Sequence, residues 1–343
     1  MHSSTSSSSE RVPDTPWFRV WLVALAVTAA VTTLWDMGWR RVGMQPSVAN
    51  GVERWVTMRR RVRPSSTVLV GTSRIQAGVD PQVWARVAGG PPPIQLALIG
   101  ATPVPVLEDL SLDTGFVGLV VVDVIPFFAY DLDRLARREE HTRTSIETWR
   151  RGYAGPSAVT ESWLRAWVGG WLVTGSPETS PRTLIERATA GHVTGIPAFT
   201  MRRDRFLRFA ADRARVTNLD RLESAWGTPA RGPAFERILS RIANSVARIT
   251  GRGGTVVFLR MPSCGRRKAI EDRYYPPAVY WDPVIERTGA PFVDSDRYPE
   301  LSGFPCHDGS HLDATEAPVF TEALVPIVLA AVDSISTGVP SAP

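Results

Sequence analysis

One serine lies where a strand should meet a helix, and it could act as a nucleophile. The apolar run 67–70 leads into Gly71 and Thr72, and Ser73 and Arg74 open a helical pattern. Backbone N–H groups beside a hydroxyl in such a turn can stabilise the oxyanion of an acyl-transfer intermediate. A serine that caps a helix shows the same local pattern, so this turn alone leaves both roles open.

A histidine and an aspartate near the C-terminus could complete a catalytic triad. Asp308 and His311 are three residues apart in a polar loop before an amphipathic helix. Histidine is the usual base for a serine nucleophile, and a carboxylate fixes its tautomer and stabilises the imidazolium. His307 and Asp313 compete locally for the two roles, and a metal site at His307, Asp308 and His311 would lack further ligands. We predict no metal and no cofactor.

The segments that must position these residues alternate between apolar runs and helical patterns. Four more apolar runs follow the first, at residues 94–102, 118–128, 255–262 and 290–296. Continuous runs of β-branched residues are typical of strands buried on both faces of a parallel sheet. The sequence predicts an α/β fold, a three-layer α/β/α sandwich with a mostly parallel sheet and with catalytic loops at the carboxyl ends of its strands.

An apolar segment before this domain is long enough to cross a membrane. Residues 17–35 are apolar apart from Arg19 and several threonines, and tryptophans lie near both ends. About 20 such residues span the bilayer core, and indole rings favour the headgroup region. We predict one transmembrane helix over 17–39. A cleaved signal peptide is the alternative, but no small-residue cleavage site follows the segment.

The arginines on either side of this segment bear on its orientation. Arg11 and Arg19 lie on the N-terminal side, whereas Arg40, Arg41 and Arg54 follow the segment. By this count the positive-inside rule places the following domain in the cytoplasm, although by a small margin.

The composition limits the remaining classes of function. The chain has 343 residues and a formal net charge of +5, and every basic residue except Lys268 is arginine. Its 43% of hydrophobic residues suffices for a large core, which excludes wholesale disorder. No nucleic-acid-binding module accompanies the charge, so we expect no nucleic-acid partner.

The chain has two cysteines, Cys264 and Cys306. This number excludes a multi-cysteine metal site and leaves one disulfide or two free thiols open.

The long stretch from about 130 to 250 interrupts the alternation of strands and helices. It is rich in arginine, shows no clear strand, and carries Trp163, Trp167 and Trp171 at a spacing of four, on one face of a helix. Core packing is the plainer interpretation of this indole stripe. A lid, or a surface for a membrane or a membrane protein, is the alternative.

Taken together, the two candidate blocks resemble those of the SGNH/GDSL hydrolase superfamily. The family's first block supplies a serine after the first strand, which matches Ser73. Its last block supplies the aspartate and histidine ahead of the last helix, which match Asp308 and His311. Its second block contributes a glycine N–H to the oxyanion hole, and Gly100 is similar in position. The resemblance implies that the N–H groups of Ser73 and Gly100 hold the oxyanion.

One position departs from this family pattern. The third block usually supplies an asparagine to the oxyanion hole, but the corresponding run here contains Asp123 and no asparagine. An ionised carboxylate at that place would repel an oxyanion, whereas Arg74 beside the nucleophile could supply positive charge. We take two arginines as candidate substrate-binding residues: Arg74, and Arg260 at the end of the fourth predicted strand.

The sequence pattern and the resemblance, which covers roughly residues 65–130 and 250–330, together divide the chain into five predicted parts. They are a disordered tail (1–16), the transmembrane helix (17–39), a basic juxtamembrane segment (40–64), an SGNH-like domain (65–335) with a helical insertion at about 130–250, and a second tail (336–343).

A membrane helix before a Gly-x-Ser-Arg turn, with a C-terminal Asp-Gly-Ser-His-Leu, is similar to the anchored subset of the superfamily. That subset includes alginate O-acetylation proteins and the D-alanyl-transfer partners of teichoic acid synthesis. The resemblance implies a serine O-acyltransferase or esterase, single-pass in the cytoplasmic membrane with an extracytoplasmic catalytic domain. Its substrates would be O-acyl, foremost O-acetyl, groups of a cell-envelope polysaccharide. A disulfide between Cys264 and Cys306 would suit that oxidising compartment.

The same resemblance implies partners: an acyl donor, a glycan acceptor and a membrane-bound O-acyltransferase. A function of another class stays open, namely a non-catalytic envelope scaffold that binds a glycan or such a transferase through the middle stretch. A simple lipase is a third hypothesis. Convergence of Ser73, His311 and Asp308 to hydrogen-bonding distance would favour the catalytic hypotheses over the scaffold.

Overall fold

The computed structural model describes residues 16–152, 156–189, 197–214, 220, 223 and 227–337. Residues 1–15 of the predicted first tail and 338–343 of the second lie outside the described residues. The chain divides into two compact units, one that ends at Gln45 and one that begins at Pro46.

The first unit is dominated by one long apolar helix, α1 (Trp17–Arg41). At 1.5 Å per residue its 25 residues extend about 37 Å, which exceeds the ~30 Å hydrocarbon core of a bilayer. Its most apolar window has a mean hydropathy of 1.7. The helix is therefore long and apolar enough to be a membrane span or a signal sequence.

The second unit is built around a five-stranded sheet. The described strands, in chain order, are β1 (Thr67–Val70), β2 (Ile94–Gln95), β3 (Leu119–Asp123), β4 (Phe199–Met201), β5 (Leu207–Phe209), β6 (Thr255–Arg260) and β7 (Phe292–Asp294). The sheet order is β2-β1-β3-β6-β7, and each pair of neighbouring strands is parallel. The prediction of an α/β fold with a mostly parallel sheet is confirmed, and each of these five strands lies within its predicted apolar run.

Helices connect and cover the strands. The described α-helices of this unit are α2 (Val52–Arg59), α3 (Ser73–Gly78), α4 (Pro81–Ala88), α5 (Val104–Leu112), α6 (Pro126–Ala129), α7 (Leu132–Arg150), α8 (Pro156–Trp171), α9 (Pro181–Thr189), α10 (Gly232–Thr250), α11 (Gly265–Tyr274), α12 (Pro277–Tyr280), α13 (Asp282–Thr288) and α14 (Glu316–Thr337). In α10, Ile238, Ile242 and Val246 are buried at intervals of four residues, as expected of an amphipathic helix.

Alternate side chains of the central strands enter two separate apolar clusters. In β3, Val120 and Val122 pack in a cluster with side chains of α5 and α10, whereas Val121 belongs to a second cluster with side chains of α14. Successive residues of a strand point to opposite faces of the sheet. Both faces are therefore covered by apolar side chains, which explains why the strands are continuous apolar runs.

The segment predicted as a juxtamembrane region belongs in part to the core of the second unit. Trp55 of α2 is fully buried, and its Nε1–H donates to the Leu96 carbonyl at 2.9 Å. Arg59 is buried as well and pairs with Asp109 of α5, with 2.9 Å between Nε and Oδ2. The compact unit therefore begins at Pro46, before the predicted boundary, because these contacts fasten α2 to the domain.

The middle stretch contains a hairpin as well as helices. The sequence shows no clear strand there, yet β4 and β5 pair antiparallel, with Phe199 opposite Phe209. Strands of three residues are too short to leave a recognisable alternating pattern.

The indole stripe of α8 lies at the surface. Trp163, Trp167 and Trp171 are 50%, 47% and 61% exposed. Core packing is therefore the wrong interpretation of this stripe, because a core indole loses nearly all its exposure.

A second helix passes the same test of length and hydropathy as α1. Residues 316–335 of α14 are apolar enough to cross a membrane. Phe320, Leu324 and Val328 in this helix are fully buried in the cluster that contains Val121. We interpret α14 as a core helix of the domain, since this face packs against side chains of the sheet. The rest of the helix is not fully covered, because Val319 and Ile335 are 53% and 52% exposed.

Candidate active site

Predicted site residues from separate parts of the chain lie at one edge of the sheet. Ser73 follows β1, Gly100 follows β2, and Arg260 ends β6. These strands are parallel, so their carboxyl ends lie at the same edge, where α/β proteins commonly bind ligands. Asp308 and His311 reach this edge from the loop that connects β7 to α14.

Ser73, His311 and Asp308 form a continuous chain of hydrogen bonds. The distance from Ser73 Oγ to His311 Nε2 is 2.8 Å, and that from His311 Nδ1 to Asp308 Oδ2 is 2.6 Å. The other carboxylate oxygen, Asp308 Oδ1, accepts the backbone N–H groups of Ser310 at 2.9 Å and His311 at 2.8 Å. The carboxylate thus holds both the imidazole ring and the loop that carries it.

The protonation states of Asp308 and of the neutral His311 ring follow from their hydrogen bonds and burial. Burial raises the pKa of Asp308, but the hydrogen bond and charge of His311 and two backbone N–H groups outweigh burial and lower that pKa to about 2. An ionised Asp308 can only accept, so in the neutral imidazole of His311 the proton is on Nδ1 and Nε2 accepts from the Ser73 hydroxyl. That is the tautomer a general base needs.

The turn before Ser73 explains why its hydroxyl is free for this role. Thr72, not Ser73, is the N-cap of α3, since the Thr72 hydroxyl accepts the Arg74 N–H at 3.4 Å. Gly71 allows the close approach of β3, because a Cβ there would lie 3.0 Å from the Asp123 carbonyl oxygen. The helix-cap alternative for Ser73 therefore does not describe the structure.

The loop of Asp308 and His311 is fastened to the end of β6. Gly309 has a φ of +78°, and a Cβ at this position would lie 2.9 Å from the Cβ of Arg267, so only glycine fits without strain. Its N–H donates to the Cys306 carbonyl at 2.7 Å, and its carbonyl accepts the Cys264 N–H at 3.1 Å. Cys264 and Cys306 are joined by a disulfide with a Cα–Cα distance of 5.6 Å. Of the two alternatives left by the sequence, the chain adopts the bridge.

Arg74 joins the helix of Ser73 to the same loop. Its Nε donates to the Ser310 hydroxyl at 3.0 Å, and its guanidinium pairs with Glu271 of α11. Burial disfavours the charge on Arg74, but Glu271 and the charges of Asp123 and Asp308 hold its pKa above the ordinary value. At 5% exposure Arg74 acts as a positioning residue in this structure, and the predicted contact with substrate stays a prediction.

Arg260 is engaged with carboxylates at the ends of neighbouring elements. Its guanidinium lies 2.6 Å from Asp272, 3.4 Å from Asp294 and 3.6 Å from Asp296. Arg260 and Arg74 line the same small cavity at the edge of the sheet. A role of Arg260 in binding substrate stays a prediction, because its charge is already matched.

Asp123, where the family pattern has asparagine, is a buried carboxyl at the end of β3. It is 1% exposed, and its Oδ2 has no hydrogen-bond partner within the described part of the chain. Burial raises its pKa, Glu271 adds to the rise and Arg74 opposes it, with a result of about 7. Near neutral pH this carboxyl is therefore neutral in a large share of molecules.

Gly100 lies in an exposed turn after β2. Its φ of +69° is in the left-handed region that favours glycine. Within the described residues, no hydrogen bond joins Gly100 to Ser73 or His311. Its N–H lies at the same sheet edge as Ser73, and its share in an oxyanion hole stays a prediction.

The hairpin supplies two aromatic rings that sequence reasoning missed. The rings of Phe199 and Phe209 lie with their centroids 5.2 Å and 5.5 Å from that of His311. The Ala211 N–H donates to Asp313 Oδ2 at 2.8 Å, which fastens the hairpin to the loop after His311. Two phenylalanines ten residues apart in an unrecognised hairpin carry no sequence signal that points to a distant histidine.

The local competitors for the triad roles are used elsewhere. His307 is exposed, and Asp313 binds the hairpin and the N–H of Thr315. Within the described ranges, no group of three or more His, Cys, Asp or Glu side chains converges on a position that could hold a metal ion.

Comparison with known proteins does not identify a family for this chain. No protein-family model matches the chain, and no curated protein matches it. Function is therefore inferred from the geometry of Ser73, His311 and Asp308.

Proposed function

We propose that this protein is a membrane-anchored, SGNH-type serine O-acyltransferase or esterase. The observation that carries the proposal is the hydrogen-bonded chain of Ser73, His311 and Asp308. A serine, a histidine in the accepting tautomer and an ionised carboxylate in this order are the parts of a nucleophilic acyl-transfer site.

In the first half-reaction, Ser73 Oγ attacks the carbonyl carbon of the acyl donor and its proton moves to His311 Nε2. Asp308 stabilises the imidazolium that forms. When the tetrahedral intermediate collapses, His311 returns the proton to the leaving oxygen and an ester forms on Ser73. In the second half-reaction, a glycan hydroxyl or water gives its proton to His311 and attacks that ester. When the second tetrahedral intermediate collapses, the bond to Ser73 Oγ breaks, His311 returns the proton to Ser73 Oγ, and the acylated glycan or the free carboxylic acid leaves.

The negative oxygen of the intermediates needs donors, and the N–H groups of Ser73 and Gly100 are the candidates. Ser73 is the first residue of α3, so its N–H has no acceptor within the helix. The pKa of about 7 at Asp123 removes part of the objection that a carboxylate there repels an oxyanion, since its neutral form carries no charge.

The three-layer α/β/α sandwich is part of this proposal. Two apolar clusters, one on each face of a five-stranded parallel sheet, support it. Helices on both faces leave the carboxyl edge of the strands as the open edge, which is where Ser73 lies.

We place the domain outside the cytoplasm, with α1 as its single anchor in the cytoplasmic membrane. The length and hydropathy of α1 support the anchor, and the disulfide between Cys264 and Cys306 supports an oxidising compartment. The substrates are then O-acetyl or other O-acyl groups of a cell-envelope polysaccharide. An acyl donor, a glycan acceptor and a membrane-bound O-acyltransferase are the proposed partners.

An acyl-enzyme on Ser73 is the decisive intermediate. The full-length protein in neutral detergent is incubated with p-nitrophenyl acetate, quenched in acid and measured by intact mass. We expect one added acetyl group in the wild type and in Ser302→Ala, an exposed control serine, and none in Ser73→Ala. Equal acetylation of wild type and Ser73→Ala would exclude Ser73 as the nucleophile.

A non-catalytic envelope scaffold is the second candidate, favoured by the exposed indole stripe of α8. A scaffold does not need Ser73, so polymer acetylation in cells that carry only Ser73→Ala would match the wild type. If the protein is an acyltransferase, we expect this variant to abolish acetylation while the protein accumulates normally in the membrane.

A further inference from the structure

A second pocket, away from Ser73 and His311, is lined by an excess of arginines. It lies between α2, the turn of the β4–β5 hairpin and α8, and has a volume of about 450 Å³. We call it the arginine pocket and define it by Arg54, Arg61, Arg203, Arg208, Trp163 and Trp171.

The positive charge in this pocket is not matched by carboxylates. Asp204 also lines it, but Arg202 binds both Asp204 oxygens through Nε, at 2.9 Å and 3.1 Å. Within the described part of the chain, no ion pair joins a carboxylate to any of the four defining arginines. Buried arginines elsewhere in the domain differ: Arg59 pairs with Asp109, whereas the fully buried Arg205 donates to neutral acceptors, Asn50 Oδ1 and the Gln95 carbonyl. Within the described chain, the pocket is set apart because four arginines without a carboxylate partner surround one cavity.

Arg54 shows the imbalance most clearly. It is 6% exposed, and its Nε has no hydrogen-bond partner in the described chain. Burial, together with repulsion from Arg61 and Arg203, lowers its pKa to about 10. A buried guanidinium without an anion costs folding free energy, and such a cost is typical of a site that a ligand completes.

The remaining wall of the pocket is aromatic. Trp163 and Trp171 line it from α8 and are 50% and 61% exposed. An indole presents a flat apolar face, which can pack against a sugar ring or an acyl chain attached to a charged group.

We propose that the arginine pocket binds a phosphate-containing group whose attached apolar or sugar portion packs on Trp163 and Trp171. Guanidinium groups match phosphate oxygens in bidentate geometry, and several of them around one site can bind different oxygens of the same phosphate. The group can come from a soluble phosphate ester or from a lipid headgroup. The inference does not depend on the proposed acyl transfer, since none of the defining residues belongs to the triad.

Calorimetric titration of the full-length protein in neutral detergent tests the pocket. The probes are inorganic pyrophosphate, as the soluble source, and phosphatidylglycerol in mixed micelles, with phosphatidylcholine as the neutral lipid. The variants are Arg54→Gln and Arg203→Gln, and the matched control is Arg237→Gln, which removes the same charge from the exposed face of α10.

We expect wild type and Arg237→Gln to bind alike, and each pocket variant to bind at least tenfold more weakly. Binding of pyrophosphate supports a soluble phosphate ligand, and binding of phosphatidylglycerol alone supports the lipid source. The proposal is overturned if neither probe binds the wild type, or if both pocket variants, with wild-type circular dichroism, bind as the wild type does. Equal binding of an oligogalacturonate, which carries only carboxylates, would overturn the choice of phosphate.

Discussion

Arg74 and Arg54 are buried almost equally, at 5% and 6% exposure, but in different surroundings. Arg74 donates to Ser310 and pairs with Glu271, so its charge is compensated and its direction fixed. Arg54 faces other arginines and has an unpartnered Nε. Burial alone therefore does not reveal what a charged residue does.

The same contrast holds for the regions around the two arginines. At the candidate active site Asp308 accepts three hydrogen bonds, which fixes the reacting groups before substrate arrives. In the arginine pocket, within the described chain, four arginines have no carboxylate partner, and the Nε atoms of Arg54 and Arg208 have no hydrogen-bond acceptor. The first arrangement is expected of a preorganised catalytic site, and the second of a site whose ligand supplies the missing charge.

The largest effect that would test the preorganised region is that of Asp308→Asn. The amide cannot hold His311 in the accepting tautomer, so we expect turnover of p-nitrophenyl acetate to fall about 10⁴-fold. Steady-state kinetics measures the loss, and Asp296→Asn, which changes a partly exposed carboxylate outside the triad, should retain activity within about threefold. An Asp308→Asn variant with near wild-type turnover would remove Asp308 from the mechanism.

The next effect concerns the compensated arginine. Arg74→Gln leaves Glu271 with one guanidinium partner, Arg267, in a buried setting, so we expect the free energy of unfolding to fall by about 2–3 kcal/mol. Denaturant unfolding followed by tryptophan fluorescence measures it. Arg86→Gln breaks an exposed pair with Glu322 and should change stability by less than about 1 kcal/mol. Similar losses of unfolding free energy in both variants would show that the buried pair of Arg74 and Glu271 stabilises the fold no more than an exposed pair does.

Asp123 is a buried carboxyl near the candidate active site whose Oδ2 has no hydrogen-bond partner in the described chain. Its folded pKa of about 7 lies above the usual 3.8, so the folded state gives up this proton later than the unfolded state does. The stability associated with the protonated form is fully present below pH 3.8 and is lost as the pH rises to about 7.

Asp123→Asn removes this titration. We expect the melting temperature of the variant, relative to wild type, to rise between pH 5 and pH 8, because only the wild type acquires a buried charge. Asp212→Asn, at a side chain with 77% exposure, should show no such trend. A difference between Asp123→Asn and wild type that is constant with pH would contradict a raised pKa at Asp123.

The smallest expected effect is on the uncompensated arginine. Because Arg54 has no carboxylate to leave behind, Arg54→Gln should change the free energy of unfolding by at most about 1 kcal/mol, and toward higher stability. Thermal unfolding in phosphate-free buffer measures it. A loss as large as that of Arg74→Gln would mean that Arg54 has a structural role and that the two arginines do not differ.

Much of the fold follows from local sequence. A parallel strand buried on both faces needs an unbroken apolar run, and the five runs each contain a strand of the sheet. The apolar runs are longer than the strands where the chain leaves the sheet early. In the run at 94–102, only Ile94–Gln95 is strand. The place of α2 was not predictable, because the partner of its Trp55 is Leu96, about forty residues later.

The residue types of the candidate site can be read from the sequence: a serine in a strand-to-helix turn, and an aspartate and a histidine three residues apart in one loop. Those features are local, so short-range spacing records them. Packing of the whole domain brings Ser73 Oγ and His311 Nε2, 238 residues apart, to 2.8 Å and sets Phe209 beside His311. It also brings Arg54 near Arg203 with no ion pair to a carboxylate in the described chain. The reason is physical: such contacts depend on how helices and strands pack, and packing is set by the whole core.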